Sequence, residues 1–434
     1  MSEPNEVTIN VPVLARVEGE GGLQLRIRQG RVDHVALKIF EPPRLFEKLL
    51  EGRLYSDVPD AVARICGICP VAYQMSAVHA IESAWGMNPG PWVRNMRRLL
   101  YCGEWIESHS LHIHLLAAPD FFGCENVVRL AQKAPDAVKR GLRLQGLGND
   151  IIRLLGGRSV HPVGVCVGGF TRAPLRNEVA ALRDKLIAAL PDAEALLRWT
   201  ATWPLPRADE DFLYVALQHP TEYPFNEGEI VTSRGERIAA EQFEQHFVEH
   251  QVPHSTALHC LYHGEPYLVG PLARVNINFT KLAEPVRNVL QQIGWTVPNR
   301  NMYHSVIARA AEIFHGLIEA IACLENYEMP DAPNVPATPK AGSAAWCTEA
   351  PRGLLWHRYE LDADGRVLSA RIVPPTSQNQ ARIEADLRAR IEADALSLQD
   401  DALRHFCETI IRNYDPCISC ATHFLTLDVR REGP

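Results

Sequence analysis

Two short cysteine pairs lie at opposite ends of the chain. Cys66 and Cys69 are separated by two residues near the start, and Cys417 and Cys420 have the same spacing near the end. This spacing puts the two thiols of a pair about one helical turn apart, so both can face the same point. Four converging thiolates form a soft ligand set that suits zinc, nickel, iron or an iron–sulfur cluster.

The long separation between the pairs narrows these alternatives. Zinc ribbons usually separate their cysteine pairs by about 15–20 residues, whereas most of the 434 residues lie between these two. An iron–sulfur cluster alone would leave the residues that flank both pairs unexplained. The flanks read Arg64-Ile65-Cys66-Gly67-Ile68-Cys69 and Asp415-Pro416-Cys417-Ile418-Ser419-Cys420-Ala421-Thr422-His423. If the pairs share one metal centre, the two ends of the chain must pack together.

Both segments resemble the two signature segments of the large, catalytic subunit of nickel–iron hydrogenases, and the resemblance extends through most of the chain. It implies reversible oxidation of hydrogen to protons and electrons by an oxidoreductase. A non-catalytic relative within a respiratory quinone-reducing complex is an alternative, but such relatives lack the four cysteines present here. A purely structural zinc protein is the last alternative.

The resemblance also implies the ligand set. In that family all four thiolates bind nickel and two of them bridge to iron. By position, Cys66 and Cys417 would be terminal nickel ligands, while Cys69 and Cys420 would bridge. The iron would carry carbon monoxide and cyanide ligands that maturation enzymes supply.

Further residues match family positions around the metals. Glu18 matches the glutamate that passes protons to and from a metal-bound thiolate, here Cys417. Arg352 would lie above the metals and bond one cyanide ligand, and the hydroxyl of Thr376 would donate to the other. Asp415 would join Arg352 there, or would simply end the preceding helix.

A magnesium site near the carboxy terminus is implied as well. Its ligands would be the carboxylate of Glu47, the backbone carbonyl of Ile372 and the side chain of His423. Without the resemblance, Glu47 reads as a solvated charge on a helix. Residues 424–434 would form an extension that a maturation protease removes after His423, although a retained strand is the alternative.

Two positions depart from the family pattern. Tyr73 stands where a histidine is common, and a phenol cannot relay protons at neutral pH as an imidazole does. Ser108 stands where membrane-linked members carry an aspartate above the metals. Both departures affect the expected proton network and leave the metal ligands unchanged.

Hydrophobic periodicity predicts the elements that position these residues. Alternation over residues 7–40 predicts a small antiparallel sheet, and helical spacing predicts three long helices. These helices cover Trp92–Leu116, Glu178–Trp199 and Tyr303–Asn326, with strands at Leu354–Leu361 and Val367–Val373. Ser377 is expected to cap a further helix that runs, with a break, toward Tyr414. The predicted class is mostly α with small β elements (α+β), a helical-bundle core with an N-terminal antiparallel sheet, in one intertwined domain over residues 1–434.

The overall composition of the chain limits the cellular compartments and the binding partners that can be expected. A net charge of −8 gives no indication of nucleic-acid or anionic-membrane binding. The acidic start lacks the features of a signal peptide, and no stretch is apolar enough to span a bilayer, so a cytoplasmic location without membrane insertion is expected. In such a chain, 11 cysteines fit metal binding better than a disulfide framework.

The sequence contains no recognisable path for electrons. The resemblance therefore implies a small subunit that carries iron–sulfur clusters, and it is greatest to the soluble bidirectional NAD(P)-linked type, also called sulfhydrogenases. Iron–sulfur clusters, flavin and NAD or NADP would then reside in partner subunits, including ferredoxin-like ones. A hydrogen sensor, or a hydrogenase that feeds a different electron carrier, is the alternative.

Overall fold

The computed structural model describes residues 6–422. Its strands form small antiparallel sheets in the orders β1–β2–β3, β4–β5, β6–β7–β8, β9–β10 and β11–β12–β13. The strands are β1 Glu6–Val11, β2 Gly21–Arg28, β3 Arg31–Ile39, β4 Val165–Cys166, β5 Gly169–Phe170, β6 Val215–Gln218, β7 Glu229–Thr232, β8 Arg237–Ile238, β9 Phe247–His250, β10 His259–Tyr262, β11 Gly342–Ala350, β12 Gly353–Leu361 and β13 Val367–Val373.

Helices cover more of the described chain than strands do. They are α1 Phe46–Leu50, α2 Val58–Val62, α3 Pro70–Trp85, α4 Gly90–Leu111, α5 Ala118–Phe121, α6 Val127–Lys133, α7 Pro135–Gly156, α8 Arg176–Ala201, α9 Phe243–His246, α10 Pro271–Asn278, α11 Glu284–Gln292, α12 Ser305–Glu325, α13 Pro375–Arg390, α14 Asp400–Asn413 and α15 Ile418–Ala421. A π-helical turn over His112–Ala117 extends α4, and another over Ile391–Ala395 extends α13. The prediction of a mostly α fold with small β elements is confirmed.

Four long helices form the core of the molecule. Helix α4 packs against α7 and α12, and α12 also packs against α8. The approach of α4 to α7 is very close, because a Cβ atom at Gly148 would lie 2.6 Å from the carbonyl oxygen of Gly103. Around this contact, apolar side chains such as Trp105 and Ile151 are fully buried. Burial of each large apolar side chain contributes about 1.5–3 kcal/mol, so this layer supplies much of the stability.

The two three-stranded sheets near the chain ends bring those ends to the helices. In the first sheet Leu25 lies between Ile9 and Val35, and these side chains pack with Leu387 of α13 and Ile410 of α14. In the other sheet β11 and β12 pack on α3, while α1 lies against β13. The alternating pattern over residues 7–40 thus predicted the first sheet correctly.

The predicted long helices are confirmed with small shifts at their ends, but α7 was not predicted. The predicted start at Ser377 is wrong, because α13 already begins at Pro375. Proline suits the first helical position, since its fixed φ is helical and its missing N–H is not needed there. The predicted break between Ser377 and Tyr414 is present, because α13 and α14 are separate. Within residues 6–422 no helix has the length and hydropathy needed to cross a bilayer.

Candidate metal centre

The four paired cysteines meet at one buried point. Their Sγ atoms all lie within 4.8 Å of one another. The sulfurs of Cys66 and Cys417 are 3.4 Å apart, as are those of Cys69 and Cys420, and the Cys417 and Cys420 sulfurs are 2.7 Å apart. Each side chain is at most 3% exposed. Four soft donors in a dry site fit nickel and iron, as well as zinc.

Helix α3 positions the first pair. Cys69 immediately precedes the helix, whose first residue is Pro70. The backbone N–H groups of Ile68 and Cys69 both donate to the sulfur of Cys66, each at 3.3 Å. Such donors stabilise a thiolate. A hydrogen bond with the thiol of Cys417 is the largest cause that lowers the pKa of Cys66 well below its ordinary value.

A buried carboxylate fixes the start of the same helix. Glu104 of α4 accepts hydrogen bonds from the N–H groups of Val71, at 2.6 Å, and Ala72, at 3.0 Å. These N–H groups have no partner inside the helix, so the carboxyl group of Glu104 satisfies them. Burial nevertheless raises the pKa of Glu104 well above its ordinary value. Glu104 was missed from the sequence. The one available signal was an acidic residue within the apolar spacing of a predicted helix.

Distant segments position the second pair. Helix α15 has four residues, and the N–H of Cys417 before it donates to the hydroxyl of Thr376 at 2.9 Å. The N–H of Ile418 donates to the carbonyl of Glu18 at 3.0 Å. Gly19 permits this approach, because a Cβ atom there would lie 2.7 Å from Cβ of Ile418.

The carboxylate of Glu18 contacts the second pair directly. Its Oε2 accepts from the thiol of Cys417 at 3.1 Å and from the N–H of Ser419 at 3.0 Å. Burial raises the pKa of Glu18, and the nearby Cys66 adds to this effect. The structure thus brings Glu18 to the sulfur that the sequence paired it with.

Arg352 lies beside the cysteines and is held by Asp415. Its Nε donates to the carbonyl oxygen of Asp415 at 2.9 Å, and Nη2 lies 3.2 Å from the carboxylate. The remaining nitrogen, Nη1, is buried and finds no hydrogen-bond partner in the described chain. Asp415 therefore joins Arg352, and it also follows the end of α14, so both roles considered for it from the sequence are present. One guanidinium donor is therefore left for a ligand.

Arg44 links the two cysteine segments. Its Nη2 donates to the carbonyl of Ile65, at 2.6 Å, and to the carbonyl of Ser419. Its own N–H donates to the carbonyl of Thr422 at 2.7 Å. A guanidinium can bridge two carbonyls because its donors form a rigid fork. Sequence reasoning missed this role, since nothing local distinguishes Arg44 from a surface arginine.

Two of the expected magnesium ligands are neighbours. Glu47 of α1 accepts a hydrogen bond from the N–H of Ile372 in β13 at 2.7 Å. This contact uses the amide of Ile372, whereas the expected ligand was its carbonyl. His423 lies outside the described residues.

The two departures from the family pattern are both buried. The phenol of Tyr73 donates to the carbonyl of Cys420 at 3.5 Å, and its ring centre lies 5.6 Å from that of His357. Burial raises the pKa of Tyr73 well above its ordinary value, so the phenol keeps its proton at neutral pH. The hydroxyl of Ser108 has no hydrogen-bond partner among residues 6–422. Beside it, burial raises the pKa of Glu107, a second acid that sequence reasoning missed.

Four buried thiols from both ends of a mostly α chain, with a glutamate on one sulfur and an arginine beside them, form a site that can hold thiolate-bound metal. The sequence pattern described as Nickel-dependent hydrogenase matches residues 44–142 and 225–423. The chain belongs to this family and is an oxidoreductase of its large, catalytic subunit type.

Named relatives agree with this assignment. The alpha subunit of sulfhydrogenase 2 from Pyrococcus furiosus is 31% identical over 423 residues, which cover 96% of this chain and 100% of that protein. The beta subunit of the NAD-reducing hydrogenase HoxS from Cupriavidus necator is 26% identical, covering 95% of this chain and 94% of that protein. A crystal structure of an NAD+-reducing nickel–iron hydrogenase in the H2-reduced state superposes with a TM-score of 0.85 at 26% identity, covering 96% of this chain and 99% of that one.

Proposed function

We propose that the chain catalyses H2 ⇌ 2H⁺ + 2e⁻ at a nickel–iron centre held by Cys66, Cys69, Cys417 and Cys420. The observation that carries this proposal is the convergence of four buried sulfurs within 4.8 Å of one another. When bound, nickel and iron supply the redox chemistry of hydrogen cleavage. Thiolates suit a metal that changes oxidation state, so these four side chains would hold the nickel and the iron.

The residues around the cysteines fit an iron that carries carbon monoxide and cyanide. The free Nη1 donor of Arg352 would bond one cyanide ligand. Thr376 already accepts from the N–H of Cys417 through its oxygen, which leaves the hydroxyl proton to donate to the other cyanide.

Glu18 would take the proton from the thiol of Cys417. The 3.1 Å contact is a direct hydrogen bond. Because the pKa of Glu18 is raised, it lies closer to the pKa of a thiol, and this favours proton transfer between the two groups. Beyond it, the hydroxyl of Ser419 donates to Oε2 of Glu41 at 3.0 Å. Glu41 is partly exposed, so a proton that reached this hydroxyl would have a route to solvent.

The substitution Glu18→Gln tests this role. Glutamine keeps the acceptor for the N–H of Ser419 but cannot take a proton, so hydrogen uptake with an artificial electron acceptor should fall by about 10²–10⁴-fold. Nickel content should stay at the wild-type level. Glu20→Gln is the matched control, because Glu20 is exposed and contacts Glu41 only through its backbone N–H. Wild-type activity in fully nickel-loaded Glu18→Gln enzyme would exclude Glu18 from proton transfer.

We also propose a magnesium ion held by Glu47, the carbonyl of Ile372 and His423. Glu47 and Ile372 are already in contact through the amide of Ile372, which supports their closeness.

In the same proposal, residues 1–434 form a single intertwined domain, with 424–434 a cleavable extension removed between His423 and Phe424. The intact mass of nickel-loaded protein tests the cleavage, and an unprocessed, active enzyme would exclude it.

Electrons would leave through the iron–sulfur clusters of a small subunit. They would continue to NAD or NADP through flavin-binding and ferredoxin-like partners in the cytoplasm. The sulfhydrogenase and NAD-reducing relatives support this choice. A different carrier is the second candidate, because a vhu subunit of the F420-non-reducing hydrogenase from Methanocaldococcus jannaschii is 30% identical over 87% of this chain and 96% of that protein. Hydrogen-driven reduction of NAD⁺ or NADP⁺ by the complex purified from its host separates the two candidates.

A further inference from the structure

A second group of metal-ligand residues lies outside the cysteine centre. His254 belongs to the loop between β9 and β10, His259 begins β10, and Glu384 lies in the middle of α13. One potential ligand atom from each residue lies within 4.8 Å of the other two. Two imidazoles and a carboxylate form a ligand set found at zinc sites that keep an open position.

The contacts within this group are short. Nε2 of His254 lies 2.7 Å from Oε1 of Glu384, and the ring centres of His254 and His259 are 5.7 Å apart. The side chains of His254 and Glu384 are 23% and 17% exposed. Solvent, and therefore an ion from solution, can reach the group.

A second observation points to a ligand. His259 is 3% exposed, and its Nε2 is buried with no hydrogen-bond partner among residues 6–422. An unpaired buried polar atom costs about 1–3 kcal/mol. Gln380 lies beside His259. Its amide oxygen accepts from Ser255 and one amide hydrogen donates to the carbonyl of Leu258, which leaves the second amide hydrogen.

A purely structural role explains only part of this group. Glu384 accepts from the N–H of Leu37 at 2.8 Å and therefore ties α13 to β3. That role accounts for Glu384 and its contact with His254, but it does not explain why His259 places a second imidazole within 4.8 Å of the same two ligand atoms. Burial lowers the pKa of His259 to about 4, so the ring is neutral at pH 7, which is the form that binds metal.

We propose that His254, His259 and Glu384 bind one divalent transition-metal ion of the zinc type, with water completing the coordination. The ion would fasten the loop before β10 to α13. Glu384 lies eight residues after Thr376 on this helix, which is about 12 Å along its axis. The site is therefore separate from the cysteine centre.

The proposal is tested by cobalt(II) titration. The nickel-loaded enzyme is first treated with a chelator and then titrated, and nickel is measured in the same samples. Wild-type enzyme should bind one additional cobalt ion per chain. Its spectrum should show the visible bands of nitrogen and oxygen ligands without thiolate charge-transfer bands, which excludes binding at the cysteines. His259→Gln and Glu384→Gln should each weaken binding by about tenfold or more.

Two further variants complete the test. His254→Gln should weaken binding in the same way, and its partly exposed position means that the change should leave folding intact. His246→Gln is the control, because His246 pairs with His263 on the same hairpin, outside the proposed site. No additional cobalt in the wild type, or binding that His246→Gln removes and His259→Gln does not, would overturn the proposal. Hydrogenase activity is not the readout, so failure of this site would leave the proposed function untouched.

Discussion

The two cysteine pairs share one spacing but are held in place by different means. The first pair precedes α3, a helix of 16 residues that packs on the sheet β11–β12–β13. The second pair spans α15, a helix of four residues. A single helical turn is not stable by itself, because nucleation fixes several residues for few hydrogen bonds. Residues far away along the chain must therefore supply the order of the second pair.

The contacts of the second pair match this requirement. Its backbone is bound by the carbonyl of Glu18, the hydroxyl of Thr376 and the guanidinium of Arg44. The first pair receives two hydrogen bonds from its own backbone and depends on α3. The geometry of the first pair therefore depends mainly on its own segment and α3, whereas that of the second forms only when the whole chain has folded.

Loss of a cysteine should have the largest effect on nickel content, and this effect should be equal for the two pairs. Cys66→Ala and Cys417→Ala each remove one thiolate from a four-thiolate set, so nickel per chain should fall by more than about tenfold. Elemental analysis of protein matured in its host measures this. Cys407→Ala is the control, because Cys407 is fully buried in α14 and lies outside the group of four. Normal nickel in either variant would refute the proposed ligand set.

Loss of Arg44 should have the next largest effect on nickel content, because it removes the link between the two cysteine segments. Arg44→Ala removes charged hydrogen bonds to the carbonyls of Ile65 and Ser419, and a bond to a charged group contributes about 1.5–3 kcal/mol. Nickel occupancy and thermal stability should both fall. Arg44→Lys should restore them only in part, because an ammonium lacks the planar fork.

Arg53→Ala is the matched control for Arg44. Arg53 follows on the same segment, and its side chain is exposed. If Arg44→Ala and Arg53→Ala had equal nickel content, the link between the two cysteine segments would be unimportant.

Removal of a single hydroxyl group on α13 should have a smaller effect, which is measured as a change in thermal stability. Thr376→Val keeps the shape of the side chain but leaves the buried N–H of Cys417 without its acceptor, at a cost of about 1–3 kcal/mol. The thermal midpoint of the matured enzyme should fall. Thr376→Ser should recover most of the loss, since it restores the hydroxyl. Equal stability of the valine and wild-type proteins would show that the hydroxyl does not hold the second pair.

The same difference explains how much the sequence could predict. The cysteines, Glu18 and Arg352 are identifiable because their chemistry and flanking residues form a pattern that can be read along the chain. Arg44 and Glu104 are not, since each acts through backbone groups of a segment that is distant in sequence. Helix α7 was missed because Gly146 and Gly148 interrupt a helical pattern, although Gly148 is required where α4 approaches. Local periodicity thus predicts elements, whereas the contacts between them depend on tertiary structure.

The smallest effect is expected at the first pair. Glu104→Gln keeps an oxygen that can accept from Val71 and Ala72, and burial already raises the pKa of Glu104 well above its ordinary value, so little charge is lost at the start of α3. The thermal midpoint should fall slightly, and nickel occupancy should remain at the wild-type level. Because α3 is long and packed against a sheet, it should hold Cys66 and Cys69 in place after this change. A loss of nickel as large as that in Arg44→Ala would mean that the first pair depends on distant contacts as strongly as the second, and the contrast between the two pairs would fail.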